Sequence, residues 1–103
     1  MEFLEYKNYE VVLELGEYEN GNLAIQMFDT ADNVPVATCT VNIEDMDMGN
    51  GEVFIKNYSE NEGMFNWFKK NNLVEEVLGF ASNGYVTVPK VKLNMDKLER
   101  VVR

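Results

Sequence analysis

Hydrophobic and polar positions alternate along Tyr9-Glu10-Val11-Val12-Leu13-Glu14-Leu15, with Tyr9, Val11, Leu13 and Leu15 on one face and Glu10 and Glu14 on the other. A period of two is the signature of a half-buried strand. Asn20-Gly21 follows, a dipeptide suited to the positive φ angles of a tight hairpin turn, and the alternation resumes at Leu23-Ala24-Ile25-Gln26-Met27-Phe28. These two stretches are expected to pair antiparallel. Phe3 to Tyr6, ahead of them, fits either a short strand or an ordered arm. Asp29 to Asn33 reads as a polar connection. Val34 to Ile43 reads as a β-branched run, with Pro35 near its beginning, where an edge or strand end tolerates proline. Glu44 to Glu52 is an acidic, glycine-containing loop leading into a further strand, Val53-Phe54-Ile55.

The period then changes. Met64, Trp67 and Phe68 stand at i, i+3 and i+4, which sets one apolar face of a helix expected from about Glu60 to Asn71. Ser59 precedes Glu62 by three residues, the spacing of a capping box, and Lys69-Lys70 suits the negative end of the helix dipole. Asn71-Asn72 is the expected stop. Gly63, inside the first turns, costs about 1 kcal/mol relative to alanine, so a close backbone or partner approach is expected there. Leu73 to Phe80 and Tyr85 to Leu93 predict a second hairpin around Asn83-Gly84, although Val74-Glu75-Glu76-Val77-Leu78 alone fits a continuing helix equally well. Pro89 and the change of apolar phase around it predict an edge or a bulge in its last strand. Met95, Leu98, Val101 and Val102 predict a short closing helix between Asn94 and Arg103, dependent on tertiary contacts at that length. The order implies a single α+β domain, residues 1–103. Its core would be a mostly antiparallel sheet of five or six strands, with one main helix packed on a face.

Composition narrows the chemistry. The 103 residues contain no histidine and one cysteine, Cys39. Ser-His-Asp and Cys-His mechanisms, histidine-ligated metals and an intrachain disulfide are therefore excluded. Cys39 lies within a strand pattern without basic neighbours in sequence, which reads as an inert buried thiol. No apolar run reaches the roughly 18 to 20 residues of a membrane span. The acidic N-terminus lacks the basic and apolar segments of a secretory signal, so the expected location is the cytoplasm. The Asn57-Tyr58-Ser59 glycosylation pattern carries no weight without secretion.

Charge changes the picture most. Residues 1–52 carry twelve carboxylates and one lysine, a net −11, whereas residues 53–103 carry six carboxylates and eight basic side chains, a net +2. Phosphate backbones are bound by lysine and arginine, so direct nucleic-acid binding through the first half is not expected. A protein with a basic surface is the better partner. The candidate partner-binding residues are Glu10, Glu14, Glu17, Glu19, Glu44, Asp45 and Asp47, with Glu2 and Glu5 near them. In an extended chain, residues two apart are separated by roughly 7 Å, which lets Glu17 and Glu19 present a spaced row of charge like a nucleic-acid backbone. Solubility and protection of strand edges account for acidity equally simply.

Other constellations fall short of their chemistry. Asp45 and Asp47 have calcium-loop spacing, but Gly49, Asn50 and Lys56 occupy positions where a ligand, a turn glycine and a bidentate glutamate belong. Nothing separates the environments of two carboxyls as acid/base hydrolysis requires, and no glycine cluster precedes Lys-Ser or Lys-Thr. Phe65, Trp67 and Phe68 read as core in preference to a base-stacking platform. No catalytic residue, cofactor or metal is assigned.

Gly21-Asn22-Leu23-Ala24-Ile25-Gln26, the strand ending Thr40-Val41-Asn42, and Val53-Phe54-Ile55-Lys56-Asn57-Tyr58-Ser59-Glu60-Asn61-Glu62-Gly63 resemble a family of small uncharacterised proteins found on phages, plasmids and integrative elements of Gram-positive bacteria. The resemblance covers about residues 20–93, is most specific in the Tyr-Ser-Glu-Asn-Glu-Gly string, and leaves the tail from Asn94 as an extension. It transfers no functional residue. It implies a mobile-element setting, in which small acidic proteins often act against host defence systems. The expectation is a non-enzymatic acidic binding protein, an inhibitor or nucleic-acid mimic docking on a basic nucleic-acid-binding protein. The alternatives are a structural or regulatory homo-oligomeric module and, as an enzyme, a carboxylate- or metal-dependent hydrolase.

Overall fold

A computed structural model describes residues 1–43 and 46–103, apart from the Asn83 side chain. The chain forms β1 (Leu4–Tyr6), β2 (Tyr9–Glu17), β3 (Leu23–Asp29), β4 (Pro35–Thr38), β5 (Thr40–Val41), β6 (Glu52–Ile55), a 3-10 turn (Ser59–Asn61), α1 (Met64–Lys70), β7 (Val74–Asn83), β8 (Val86–Leu93) and α2 (Met95–Val101). This is the expected α+β class with antiparallel strands, but the strands divide between two four-stranded sheets. The first has the order β1-β2-β3-β4 and the second β5-β6-β8-β7.

The division falls at Cys39, in the middle of the β-branched run that reads as one strand in the sequence. Its N–H donates to Ile25 O on β3 at 2.8 Å, and its carbonyl accepts from Lys56 N, just after β6, at 2.9 Å. One residue thereby bonds to both sheets. Val11, Leu13, Ile25 and Met27 from the first sheet, Val53, Ile55, Val91 and Leu93 from the second, and Met64, Phe68, Leu98 and Val101 from the helices make one buried cluster. Cys39 belongs to it, and burial pushes its thiol up to about 12. That accords with an inert side chain.

Turn chemistry follows residue type. Lys7 and Asn8, both at positive φ, make the two-residue loop between Tyr6 and Tyr9, the pattern of a type I′ turn. The β2–β3 hairpin forms as expected, but only Gly21 has positive φ. Gly21 N donates to Tyr18 O and Tyr18 N to Asn22 O, so the loop is the three-residue kind that closes on a glycine bulge. Between Asn83 and Val86 the central residues are Gly84, at φ 68, and Tyr85, the pattern of a type II′ turn.

Pro89 adds no bulge to β8. The extra residues are on the facing strand, where Glu75 and Leu78 of β7 are left without partners in the register. Although β8 is an inner strand, Pro89 lies past its last pair with β6, Phe54↔Lys90, and so sits where only β7 flanks it. The tail beyond Asn94 is no extension of the core but part of it. Asn94 caps α2 by accepting from Lys97 N, Leu98 and Val101 are buried, and Val102 bridges in parallel to Leu13 of β2.

The entry to α1 departs most from expectation. No side chain caps the 3-10 turn, and Glu62 N bonds to the backbone carbonyl of Ser59, so the Ser59–Glu62 capping box is absent. Gly63, at φ +92, precedes α1, and the helix's unpaired donor at Phe65 is taken by Asn57 Oδ1 at 2.9 Å. Asn61 is buried, and its Nδ2 donates to Thr38 O at 2.6 Å, beside the sheet division. Gly63 itself is exposed, with nothing within 4 Å of where a Cβ would lie, so the expected close approach is not what requires glycine. The left-handed backbone is. Gly63→Ala is accordingly expected to destabilise the fold by about 1–2 kcal/mol through backbone strain alone. Urea titration should show this as a lower midpoint with an unchanged slope. The exit is as expected: Asn72 has φ 60, Leu73 N reaches Phe68 O, and Asn72 N reaches Lys69 O, the bonding of a Schellman stop.

Candidate functional site

The core-facing phase of β2 is Val11 and Leu13, which leaves Glu10, Val12 and Glu14 on the outer face of the first sheet. The Lys7–Asn8 turn folds β1 back so that Glu5 stands directly opposite Glu10. Like charges opposed across an antiparallel pair destabilise it. Glu10 Oε1 accepts from Thr30 Oγ1 at 2.7 Å, and Glu14 pairs with Arg103 Nε at 3.6 Å. Arg103 also lies over the Phe28 ring, and Phe28 is the cross-strand neighbour of Val12, which is buried although it belongs to this outer face.

The remaining candidates are spread around this face. Glu17 ends β2 in the opposite phase, on a groove of about 270 Å³ that also touches Asn22, Met48, Gly49, Glu52 and Met95. Glu19 is exposed in the hairpin turn, so Glu17 and Glu19 do not continue one extended row. Asp47 is exposed, and its carbonyl accepts from Lys90 Nζ at 3.1 Å. Glu44 and Asp45 lie outside the described residues. The structure thus sets Glu5, Glu10 and Glu14 on one face, places Glu17 and Glu19 at the β2–β3 hairpin, and ties the Asp47 backbone to β8 of the second sheet.

Ion pairing offsets part of the charge asymmetry between the halves and leaves the rest on a few carboxylates. Lys56, Lys90, Lys92 and Lys97 pair with Glu60, Glu52, Glu75 and Glu2 respectively. Among the described residues, Glu5, Glu10, Glu17 and Glu19 make no ion pair. The Gly49 N–H, 2.8 Å from Glu52 Oε1, together with nearby Lys90, holds the Glu52 carboxyl below its ordinary range. A carboxyl depressed in the folded state stabilises above its unfolded-state pKa, and that contribution disappears as pH falls through the folded value. Glu52→Gln should therefore lower the melting temperature at pH 7, with the difference from the parent shrinking as pH falls below the unfolded value of about 4.3 and disappearing once the folded-state carboxyl is also protonated.

A different surface lies on the second sheet. β7 is an outer strand, and its Val77, Leu78 and Phe80 are exposed. Phe80 meets Phe65 of α1 edge-to-face at 6.3 Å, and Lys69 lies 4.3 Å from the Phe65 centroid. Trp67 is no open platform: it packs edge-on against Tyr6 and Phe68, and its Nε1 donates to Glu5 O at 2.7 Å. No group of three or more cysteine, aspartate or glutamate side chains is placed to hold a metal among the described residues. No described helix is long and apolar enough to cross a membrane.

Sequence reasoning found Glu10 and Glu14 by alternation. It missed Phe28 and Arg103, and the Glu5–Glu10 opposition became visible only with the Lys7–Asn8 turn. Fold and surface together define a small two-sheet α+β domain with an acidic outer face. The family model described as "Domain of unknown function (DUF4313)" matches residues 12–103, and the chain belongs to that family. The match includes α2 and Arg103. Searches of curated proteins and of solved structures each gave no match.

Proposed function

We propose that the protein is a non-enzymatic acidic binding protein whose first-sheet outer face, with Glu5, Glu10 and Glu14, docks on a basic, nucleic-acid-binding protein. Glu17 and Glu19 extend the contact at the β2–β3 hairpin. The setting is the cytoplasm of a bacterium carrying a phage, plasmid or integrative element, where the protein acts as an inhibitor or nucleic-acid mimic. The observation that carries this reading is Glu5 directly opposite Glu10 in the register, two side chains that make no ion pair among the described residues and whose like charges weaken the strand pair. Such a cost is expected where function requires it. Negative potential from this face steers a basic partner and repels phosphate.

The test is capture of partners by the tagged full chain from the cell that carries it, alongside a folded Glu5→Lys, Glu10→Lys variant. A specific basic protein retained by the parent, released by salt and lost from the variant supports the proposal. Retention indifferent to both overturns it.

A second reading is self-association through the outer edge of β7, favoured by exposed Val77, Leu78 and Phe80. The bulges at Glu75 and Leu78 and the net charge of −9 oppose it. Light scattering decides: a dimer at high concentration that Phe80→Lys dissociates favours this reading, and a monomer throughout removes it.

A further inference from the structure

Arg103 is laid across the acidic face by backbone pairing. Its N–H donates to Leu13 O at 2.9 Å, continuing the Leu13↔Val102 bridge along β2. From there the guanidinium meets three groups from three places. Its central carbon stands 3.7 Å from the centroid of the Phe28 ring on β3, its Nε 3.6 Å from Glu14 Oε1 on β2, and its Nη1 donates to Asn33 Oδ1 in the turn before β4. The turn holds the Asn33 backbone, at φ 56 with its N–H bonded to Asp29 O, and presents the side chain from which Oδ1 meets the arginine.

The combination is selective for a guanidinium. A flat delocalised cation stacks on an aromatic face while its edge donates to a carboxylate and an amide oxygen, whereas the compact ammonium of lysine answers mainly the charge. Beside Glu14 the same face carries a depression of about 270 Å³ bordered by Gly16, Ala24, Gln26 and Thr38, with room for the backbone that flanks an incoming side chain. Arg103 remains partly open to solvent, and an ion pair so exposed contributes little to stability.

We propose that Phe28, Glu14 and Asn33 form a recognition site for an arginine side chain of the basic protein partner, with Arg103 as its displaceable internal occupant. The proposal rests on the acidic-face reading and names the residue type that face selects. An internal occupant lowers apparent affinity by the fraction of molecules in which the site is filled.

The experiment titrates the full chain with two synthetic peptides of equal length and charge, one bearing arginines and one lysines, by calorimetry with NMR mapping. The readout is the ratio of their affinities, because losing the Arg103 charge strengthens both. The parent is expected to prefer the arginine peptide, and Arg103→Ala to raise the ratio by about threefold to tenfold. Phe28→Leu, which keeps an apolar cover over Val12, is expected to bring the ratio to about one. Arg103→Lys, which retains charge and backbone pairing, serves if the alanine variant does not fold, and should also raise the ratio. Binding of both peptides with one ratio in all variants overturns the arginine site and leaves the acidic face standing. Binding of neither overturns both.

Discussion

Phe68→Ala is expected to destabilise the protein by about 3–5 kcal/mol, the range for removing a buried aromatic ring and leaving a cavity. Phe68 is fully buried on α1, in the cluster built from both sheets and both helices. Its ring packs against Trp67, which in turn holds β1 through Tyr6 and the Glu5 carbonyl. The substitution therefore reaches the acidic face as well as the core. Domains of this size have about 5–15 kcal/mol of stability in total, so much of it should be lost. Urea unfolding measures this, and a loss below about 1.5 kcal/mol would mean that the ring is not the keystone its burial indicates.

Asn61→Asp is expected to cost about 2–4 kcal/mol at neutral pH and far less in acid, because it places a carboxylate where an amide N–H now donates to Thr38 O. An ionised carboxylate has no proton to give and faces a carbonyl oxygen in a buried site. A protonated one can donate. The folded state thus raises the pKa of the new group, and the loss relative to the parent grows as pH rises above the unfolded value of about 3.9. Asn61→Leu supplies the contrast, destabilised at every pH because Thr38 O stays unpaired. Denaturant midpoints between pH 4 and 8 distinguish the two. A flat difference for Asn61→Asp would show that the Thr38 bond does not govern this junction.

Asn61 also marks the boundary of what the sequence makes legible. Alternation located β2 and β3, helical spacing located α1 and α2, and Asn72 stopped α1, because each of these features is local. The division at Cys39 is not local. Val34 to Ile43 has the composition of one strand, and only long-range bonds from Ile25 and Lys56 show that its halves belong to different sheets. The capping box failed for a similar reason. Ser59 and Glu62 have the required spacing, but Asn57 captures the helix donor and Asn61 anchors the turn to Thr38, so tertiary bonds override a local signature. On the candidate surface, alternation assigns Glu10 and Glu14 to one face of β2, whereas Glu17, grouped with them by charge, ends the strand in the opposite phase. The places of Glu5, Phe28 and Arg103 depend on a turn, a cross-strand register and a parallel bridge that no single stretch encodes.

Once a basic partner has been captured, its dissociation constant should be measured against salt for the parent and for Glu5→Lys, Glu10→Lys. We expect the parent to weaken by more than about tenfold between low and high ionic strength, and the variant to bind weakly with little further dependence on salt. Equal affinities and equal salt slopes for the two proteins would contradict docking through this face.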